Sequence, residues 1–293
     1  MSLRLEMLQV ARLAQKPLQE VKSLILHFLY DHLNEDGGFK DRSGNSDLYY
    51  SVFALECIHA LQGDIPRQNM QKYLLSFSEL QKLDFVHLSC LVRAAAAVEI
   101  QNDLDGERIL ELMKEYQAVD GGFNVTKEQQ YGSAYANFLL VGTYQDLNVE
   151  IASEVQSAIV SNLESLVADD GGYANIPEMK EGNVTATAAA ILVLRSWDIP
   201  LGNHLGMWLM NHCIQGGFCN SLAFPVPDLL STATALHALA YLKTDTKAIT
   251  EPGLDFVDSL WTNRGGFYGN WTDDILDCEY TFYGLLALGH LTL

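Results

Sequence analysis

The sequence predicts an all-α fold in which six helical hairpins close into one ring. A Gly-Gly-aromatic motif recurs along the chain, an amphipathic stretch with helical periodicity precedes each copy, and a more uniformly apolar stretch rich in small residues follows it. A helical hairpin cannot bury both of its faces alone, so such units stack side by side. Six of them can close into an α6–α6 toroid (barrel) around a central cavity.

The Gly-Gly-aromatic motif is expected to end each outer helix. Its copies are Gly37-Gly38-Phe39, Gly121-Gly122-Phe123, Gly171-Gly172-Tyr173, Gly216-Gly217-Phe218 and Gly265-Gly266-Phe267. The last four copies lie about 45 to 50 residues apart and the first gap is about twice as long. This spacing predicts a degenerate sixth unit near residues 78–84. Glycine suits the motif because the chain must reverse there through positive φ.

The two helices of each hairpin are predicted from the pattern on either side of the motif. Outer helices are expected over residues 18–33, 68–80, 108–119, 151–167, 205–214 and 254–261. Each inner helix is expected to begin at a polar N-cap, whose side chain satisfies free backbone N–H groups. The predicted caps are Asp47, Asp84, Gln130, Asn183, Asp228 and Asp277.

The whole chain, residues 1–293, is predicted to be a single toroid domain. Residues 1–16 are an N-terminal extension, and the repeats cover about 17–62, 66–98, 106–145, 150–197, 202–242 and 251–293. An open superhelix of the kind formed by tetratricopeptide units is the alternative. Those units have about 34 residues and lack the Gly-Gly-aromatic turn, which favours the closed ring.

Composition restricts the partners of this protein. With 37 acidic residues against 18 Lys and Arg, the formal net charge is −19, which repels nucleic acid and anionic membrane surfaces. No apolar stretch reaches the length of a membrane span. The five cysteines form no CxxC pair, which favours reduced thiols and a cytoplasmic location.

The repeat pattern and the last repeat resemble a known family. Residues 277–284, Asp-Cys-Glu-Tyr-Thr-Phe-Tyr-Gly, are similar to the Asp-x-x-His-Thr-x-x-Gly segment of the protein prenyltransferase β-subunits. The resemblance extends over about residues 17–293 and includes the terpenoid cyclase toroids. In overall length the chain is nearest to the Rab geranylgeranyltransferase β-subunit. It implies an apolar lumen for an isoprenoid, a catalytic zinc at the rim, and an α-subunit-like partner protein.

The sequence departs from that family at the zinc and diphosphate positions. The positions of the zinc-binding aspartate, cysteine and histidine are occupied by Asp228, Leu230 and Tyr280. Those of the diphosphate-binding arginine, histidine and tyrosine are occupied by Gly132, Asn183 and Ser231, and the basic pair has no counterpart. One carboxylate does not hold a tetrahedral zinc. Neither zinc nor zinc-dependent protein prenyl transfer is therefore expected.

A second metal hypothesis concerns Asp273, Asp274 and Asp277. Their spacing resembles that of aspartates that share hydrated Mg²⁺ with a diphosphate. The alternative is that Asp277 is a helix cap in an acidic protein, and that no cofactor is bound.

Side chains three or four residues after each cap are expected to face the mouth of the cavity. Asp228, Tyr280 and His87 are the candidate catalytic residues, with His87 as an acid, base or ligand, or alternatively a hydrogen-bonded lining residue. The other candidate lining residues are Tyr49, Tyr50, Tyr131, Ser133, Tyr135, Ser231 and Tyr283. Four basic residues in the rim loops could together bind an anionic head group: Lys40, Arg42, Lys127 and Lys180. The alternative is that they are solvated loop charges.

An aromatic, mostly neutral wall is suited to an apolar ligand. With the family resemblance, it implies a prenyltransferase-like protein that binds an isoprenoid or a similar apolar ligand, as a divergent transferase or as a carrier. Two alternatives stay open. One is a non-catalytic scaffold module that pairs with a partner protein, and the other is a cyclase-like or lyase-like enzyme on the same fold.

Overall fold

Helices alternate between two layers along most of the chain in the computed structural model, which describes residues 2–293. The α-helices are α1 (Leu3–Ala11), α2 (Lys22–Asp31), α3 (Leu48–Ala60), α4 (Arg67–Leu75), α5 (Phe85–Ala97), α6 (Gly106–Lys114), α7 (Ala134–Asp146), α8 (Ser153–Ser165), α9 (Val184–Ser196), α10 (Leu205–Met210), α11 (Leu229–Tyr241), α12 (Lys247–Leu260) and α13 (Cys278–Leu291). Short 3₁₀ helices cover Arg12–Gln15, Leu80–Lys82 and Gln101–Asp103. The strands are β1 (Phe39–Lys40), β2 (Ser46–Asp47), β3 (Cys213–Ile214), β4 (Gly217–Ser221) and β5 (Phe224–Asp228). They form two small antiparallel sheets, β1–β2 and β3–β4–β5.

The odd-numbered helices from α3 to α13 form an inner ring. Each packs on the next in chain order, and α13 packs on α3. The even-numbered helices from α2 to α12 bury one face and expose the other. The predicted all-α toroid is thus confirmed, because an open superhelix would leave α13 and α3 apart.

Capping residues start the inner helices. Five of the six predicted caps are confirmed: Asp47, Asp84, Asn183, Asp228 and Asp277. The prediction for α7 was wrong, because its cap is Ser133 and not Gln130. The hydroxyl of Ser133 accepts a hydrogen bond from Ala136 N, which the longer glutamine side chain is poorly suited to do. In the third repeat, Tyr135 and not Gly132 therefore stands two residues after the cap.

Each Gly-Gly pair connects one hairpin to the next. The first glycine of every pair has a φ between 85° and 98°, which confirms the predicted reversal. The second glycine lies against the next outer helix, so that a Cβ on Gly38 would lie 2.7 Å from the Tyr73 ring and one on Gly266 would lie 2.9 Å from Phe28. Because Phe28 belongs to α2, the last pair packs on the first hairpin and closes the outer layer.

The unit without a Gly-Gly pair lies between α4 and α5. Residues 78–84 contain the 3₁₀ helix Leu80–Lys82 and end at the Asp84 cap. A 3₁₀ turn therefore replaces the glycine reversal in this repeat, which explains the long first gap between motifs.

The N-terminal extension covers one end of the ring. Helix α1 packs on α3, α7 and α13, and a Cβ on Gly289 near the end of α13 would overlap the Val10 carbonyl oxygen. Leu3 N donates to Gln145 Oε1 near the end of α7, at 2.8 Å. Helix α1 thus lies across the C-terminal ends of the inner helices. The opposite end, where the six N-caps lie, is called the mouth below.

No helix within residues 2–293 is long and apolar enough to cross a membrane, and the longest, α12 and α13, have 14 residues each. The five cysteines are free, and all except Cys213 are buried. Most of these cysteines are therefore packed in the interior as free thiols, and none of the five forms a disulfide.

Candidate functional site

The inner ring encloses a cavity of about 440 Å³. Every inner helix contributes to its wall, and Met7 of α1 contributes from the covered end. The wall consists mostly of hydrocarbon and aromatic groups. Each inner helix contributes at least one lining residue, and in chain order these include Tyr49, Arg93, Tyr135, Ala189, Leu230 and Tyr283. Such a cavity is suited to an apolar ligand.

Three of the predicted lining residues, Tyr49, Tyr135 and Tyr283, lie on the cavity wall. The other four lie outside it. Tyr50 packs edge-on against the Tyr49 ring, and Tyr131 is largely exposed in the loop before α7. Ser133 is a helix cap and Ser231 is bonded to Asp228.

Glu279 lies beside the cavity wall, hydrogen-bonded to the lining residue Tyr49, and the sequence reasoning missed it. The Tyr49 hydroxyl donates to Glu279 Oε1 at 2.6 Å, and burial raises the pKa of Glu279 to about 7 despite that hydrogen bond. Glu279 stands two residues after the Asp277 cap. Tyr49 and Tyr135 have this same register and line the cavity, and this register was the signal that could have identified Glu279.

A group of charged residues lies at the covered end of the cavity, and the sequence reasoning missed these too. Arg93 Nε donates to Glu56 Oε1 at 3.4 Å, and Arg4 of α1 lies 3.8 Å from the same oxygen and 3.1 Å from Asp146 Oδ1. Burial raises the pKa of Asp146, and the nearby Arg4 opposes the shift. An arginine and a glutamate inside otherwise apolar helices were the available signal.

His87 bridges the first turns of α3 and α5. Its Nε2 lies 3.0 Å from Asp47 Oδ2 and its Nδ1 lies 2.8 Å from Asp84 Oδ1. The hydrogen bond to Asp47, opposed by burial and helped by Asp84, raises the pKa of His87 to about 9. Because both ring nitrogens face carboxylates, His87 is an imidazolium ion at neutral pH, with no free nitrogen to act as a base.

Asp228 and Tyr280, the other two candidate catalytic residues, lie near each other but have separate partners. Both Asp228 carboxylate oxygens bind Ser231, one accepting from N and one from Oγ, each at 2.7 Å. The Arg42 guanidinium lies over the Tyr280 ring, with its Cζ 5.4 Å from the centroid of that ring. Burial, with the negative charges of Glu279 and Asp228, raises the pKa of Tyr280 to about 12.

Three of the four rim cations are engaged by the protein itself. Arg42 binds Asp277 at 2.7 Å and Asp273 at 2.9 Å, which joins the first and last repeats. Lys40 donates to the Asp31 carbonyl oxygen and Lys127 pairs with Glu115. Within residues 2–293 only Lys180 of this set makes no side-chain hydrogen bond or ion pair.

The residues at the two positions considered for a metal, one for zinc and one for magnesium, do not suit a metal. At the zinc position, Leu230 presents hydrocarbon to the cavity and the Asp228 carboxylate binds Ser231. At the magnesium position, the Arg42 guanidinium already pairs with both Asp273 and Asp277. Across residues 2–293, no three or more His, Cys, Asp or Glu side chains are arranged to hold an ion together.

Comparison with known proteins assigns this chain to a family. A model of the prenyltransferase alpha-alpha toroid domain matches residues 3–137, 128–201 and 202–291. The chain belongs to that family of toroids. No curated protein matches the sequence significantly.

Solved structures show the same fold at low sequence identity. Candida albicans protein geranylgeranyltransferase-I complexed with GGPP superposes with a TM-score of 0.68 at 16% identity, over 92% of this chain and 90% of that one. A variant of the type II terpene cyclase MstE from Scytonema, in complex with its substrate geranylgeranyl dihydroxybenzoate, gives 0.64 at 12% identity, over 96% and 97%. A protein from Actinoplanes gives 0.60 at 13% identity, over 94% and 99%.

Proposed function

We propose that this protein binds an isoprenoid, or an apolar molecule of similar shape, in the central cavity. The observation that carries the proposal is a closed ring with an unfilled centre, to which all six inner helices contribute lining side chains. Helix α1 covers one end, so a ligand would enter at the mouth. The complexes of the two isoprenoid-binding toroids with GGPP and geranylgeranyl dihydroxybenzoate support this reading.

The cavity volume limits the length of the ligand. At about 30 Å³ for a water-sized group, 440 Å³ accommodates about fifteen groups. A chain of about fifteen carbons therefore fits, and one of about thirty does not.

The charges at the mouth argue against a prenyl diphosphate as the ligand. Four of the six caps around the mouth are aspartates: Asp47, Asp84, Asp228 and Asp277. The cations nearest to them, His87 and Arg42, are already paired with three of these carboxylates. A diphosphate there would meet a net negative charge, because these two cations do not balance the four carboxylates. The proposed activity is therefore binding of a neutral apolar chain, without transfer from a diphosphate.

The binding proposal predicts selection by chain length. Purified protein titrated with farnesol, which has about fifteen carbons, is expected to form a one-to-one complex, and squalene, with about thirty, is expected to form none. Native mass spectrometry detects the complex, and isothermal titration calorimetry gives its dissociation constant. Failure to retain any isoprenoid chain would contradict the proposal and favour the scaffold module that pairs with a partner protein.

A second candidate function, proton transfer to a bound polyene, is favoured by Glu279. A carboxyl group with a pKa near 7 is about half protonated at neutral pH. Its Oε2 could donate a proton to a carbon–carbon double bond, and the ring faces of Tyr49, Tyr135 and Tyr283 would stabilise the resulting cation. Loss of a proton from another carbon back to the carboxylate completes the exchange. This is the cyclase-like alternative.

The proton-transfer function makes a prediction about pH. Because the acid form of Glu279 is the donor, turnover of an unsaturated fifteen-carbon alcohol should be full well below pH 7 and fall as the pH rises through about 7. Glu279→Gln should lower turnover at least about a hundredfold and still bind the alcohol, with the exposed Glu181→Gln as the matched control. Gas chromatography of extracted products measures both. Undiminished turnover in Glu279→Gln would remove Glu279 as the donor.

A further inference from the structure

Two polar side chains on the floor of the cavity, which is its covered end, each have one nitrogen without a hydrogen-bond partner in the described chain. Arg93 of α5 and His237 of α11 both line the cavity, and each stands nine residues after its cap, about 13 Å below the mouth at 1.5 Å per residue. Arg93 Nη2 and His237 Nε2 are buried and make no hydrogen bond with any residue from 2 to 293. An unpaired buried polar atom costs free energy, so each of them favours a partner from outside the chain.

Arg93 has the larger unused capacity. A guanidinium group carries five N–H donors, and the single hydrogen bond of Arg93 runs from Nε to Glu56 Oε1 at 3.4 Å. Its charge is already balanced, because Arg4 and Arg93 face Glu56 and Asp146. Arg93 Nη2 therefore needs a hydrogen-bond acceptor but no further negative charge, and Glu56 Oε2, which is also buried without a partner among residues 2–293, needs a donor. A neutral hydroxyl group meets both requirements, and a neutral carbonyl oxygen meets the first.

We infer that Arg93 binds an oxygen atom at the end of the ligand, so that an apolar chain ending in a hydroxyl or carbonyl group enters with its polar end first. This inference rests on the proposed binding function and specifies its ligand class. The hydrocarbon end of the chain then lies toward the mouth, beside Tyr49 and Tyr135. The cap aspartates would repel an anionic head group. They do not repel this ligand, because it is neutral and only its hydrocarbon end lies near them.

The test compares farnesol with farnesene, a hydrocarbon of the same carbon number without the oxygen, both delivered from the same cyclodextrin. The measured quantity is the ratio of their dissociation constants. In the variant Arg93→Met/Glu56→Gln, which removes the guanidinium and leaves no unpaired carboxylate behind, the preference for farnesol should fall about tenfold from its value in the wild type. Farnesene binding should change less than about twofold, and Lys72→Met on the exposed face of α4 should leave the ratio unchanged.

Each outcome separates the two proposals. If the wild type binds neither ligand, the binding function itself fails and this inference falls with it. If the wild type binds both and the variant keeps the same ratio, the cavity is a binding site but Arg93 does not bind the oxygen. If the variant loses both ligands equally, the guanidinium is structural and the inference is overturned. Thermal unfolding of the variant confirms that the comparison is made on folded protein.

Discussion

Replacing Gly265 by alanine is expected to destabilise the fold by about 3 kcal/mol or more. Gly265 has a φ of 92°, a conformation that costs an alanine about 1 to 2 kcal/mol. In addition, the new Cβ would lie 2.5 Å from the Leu24 carbonyl oxygen and 2.9 Å from Phe28 Cβ. Both contacts are with α2, so relieving them separates the last repeat from the first. Urea unfolding of the purified variant measures the loss.

Gly44 provides the matched control for this substitution. It has a similar φ of 89°, but a Cβ there would have no heavy atom within 4 Å. Gly44→Ala therefore carries the backbone cost alone, about 1 to 2 kcal/mol. The difference between the two variants in the free energy of unfolding measures the cost of the close contacts at the point where the ring closes. Equal losses would contradict the packing of the last Gly-Gly pair on α2.

The fold was predictable because its signals are local. A glycine at positive φ and an aspartate at a helix start act within a few residues of themselves, and repetition made each signal visible several times. The third cap was misassigned because Gln130 and Ser133 are both polar residues in one loop. The covering role of α1 could not be predicted, since Leu3 meets Gln145, a residue 142 positions away.

The site was less predictable, because its contacts depend on which helices face each other. Tyr49 and Glu279 come from opposite ends of the chain and meet only after α13 has packed on α3. His87 and Arg42 were expected at the mouth from their positions in the repeats, but nothing local showed that aspartates of other repeats, Asp47 and Asp277, would bind them. Arg93 was passed over as a charge within an apolar helix, although such a residue needs a partner when buried.

Filling the cavity should abolish ligand binding and leave the protein folded. Ala189 of α9 faces the cavity, so the indole in Ala189→Trp would occupy the space where the chain is proposed to lie. The affinity for farnesol is expected to fall at least about a hundredfold, while the free energy of unfolding changes by about 1 kcal/mol or less. Calorimetric titration measures the first quantity and urea unfolding the second.

The neighbouring alanine shows whether the cavity is open space. Ala190 is fully buried and does not line the cavity, so the indole in Ala190→Trp would have to displace packed side chains, at a cost of about 3 kcal/mol or more. A large difference in stability between these adjacent substitutions is expected only if the centre of the ring is unfilled. If Ala189→Trp were as destabilising as Ala190→Trp, the inner helices would pack against one another across the centre, and the toroid would have no room for a ligand.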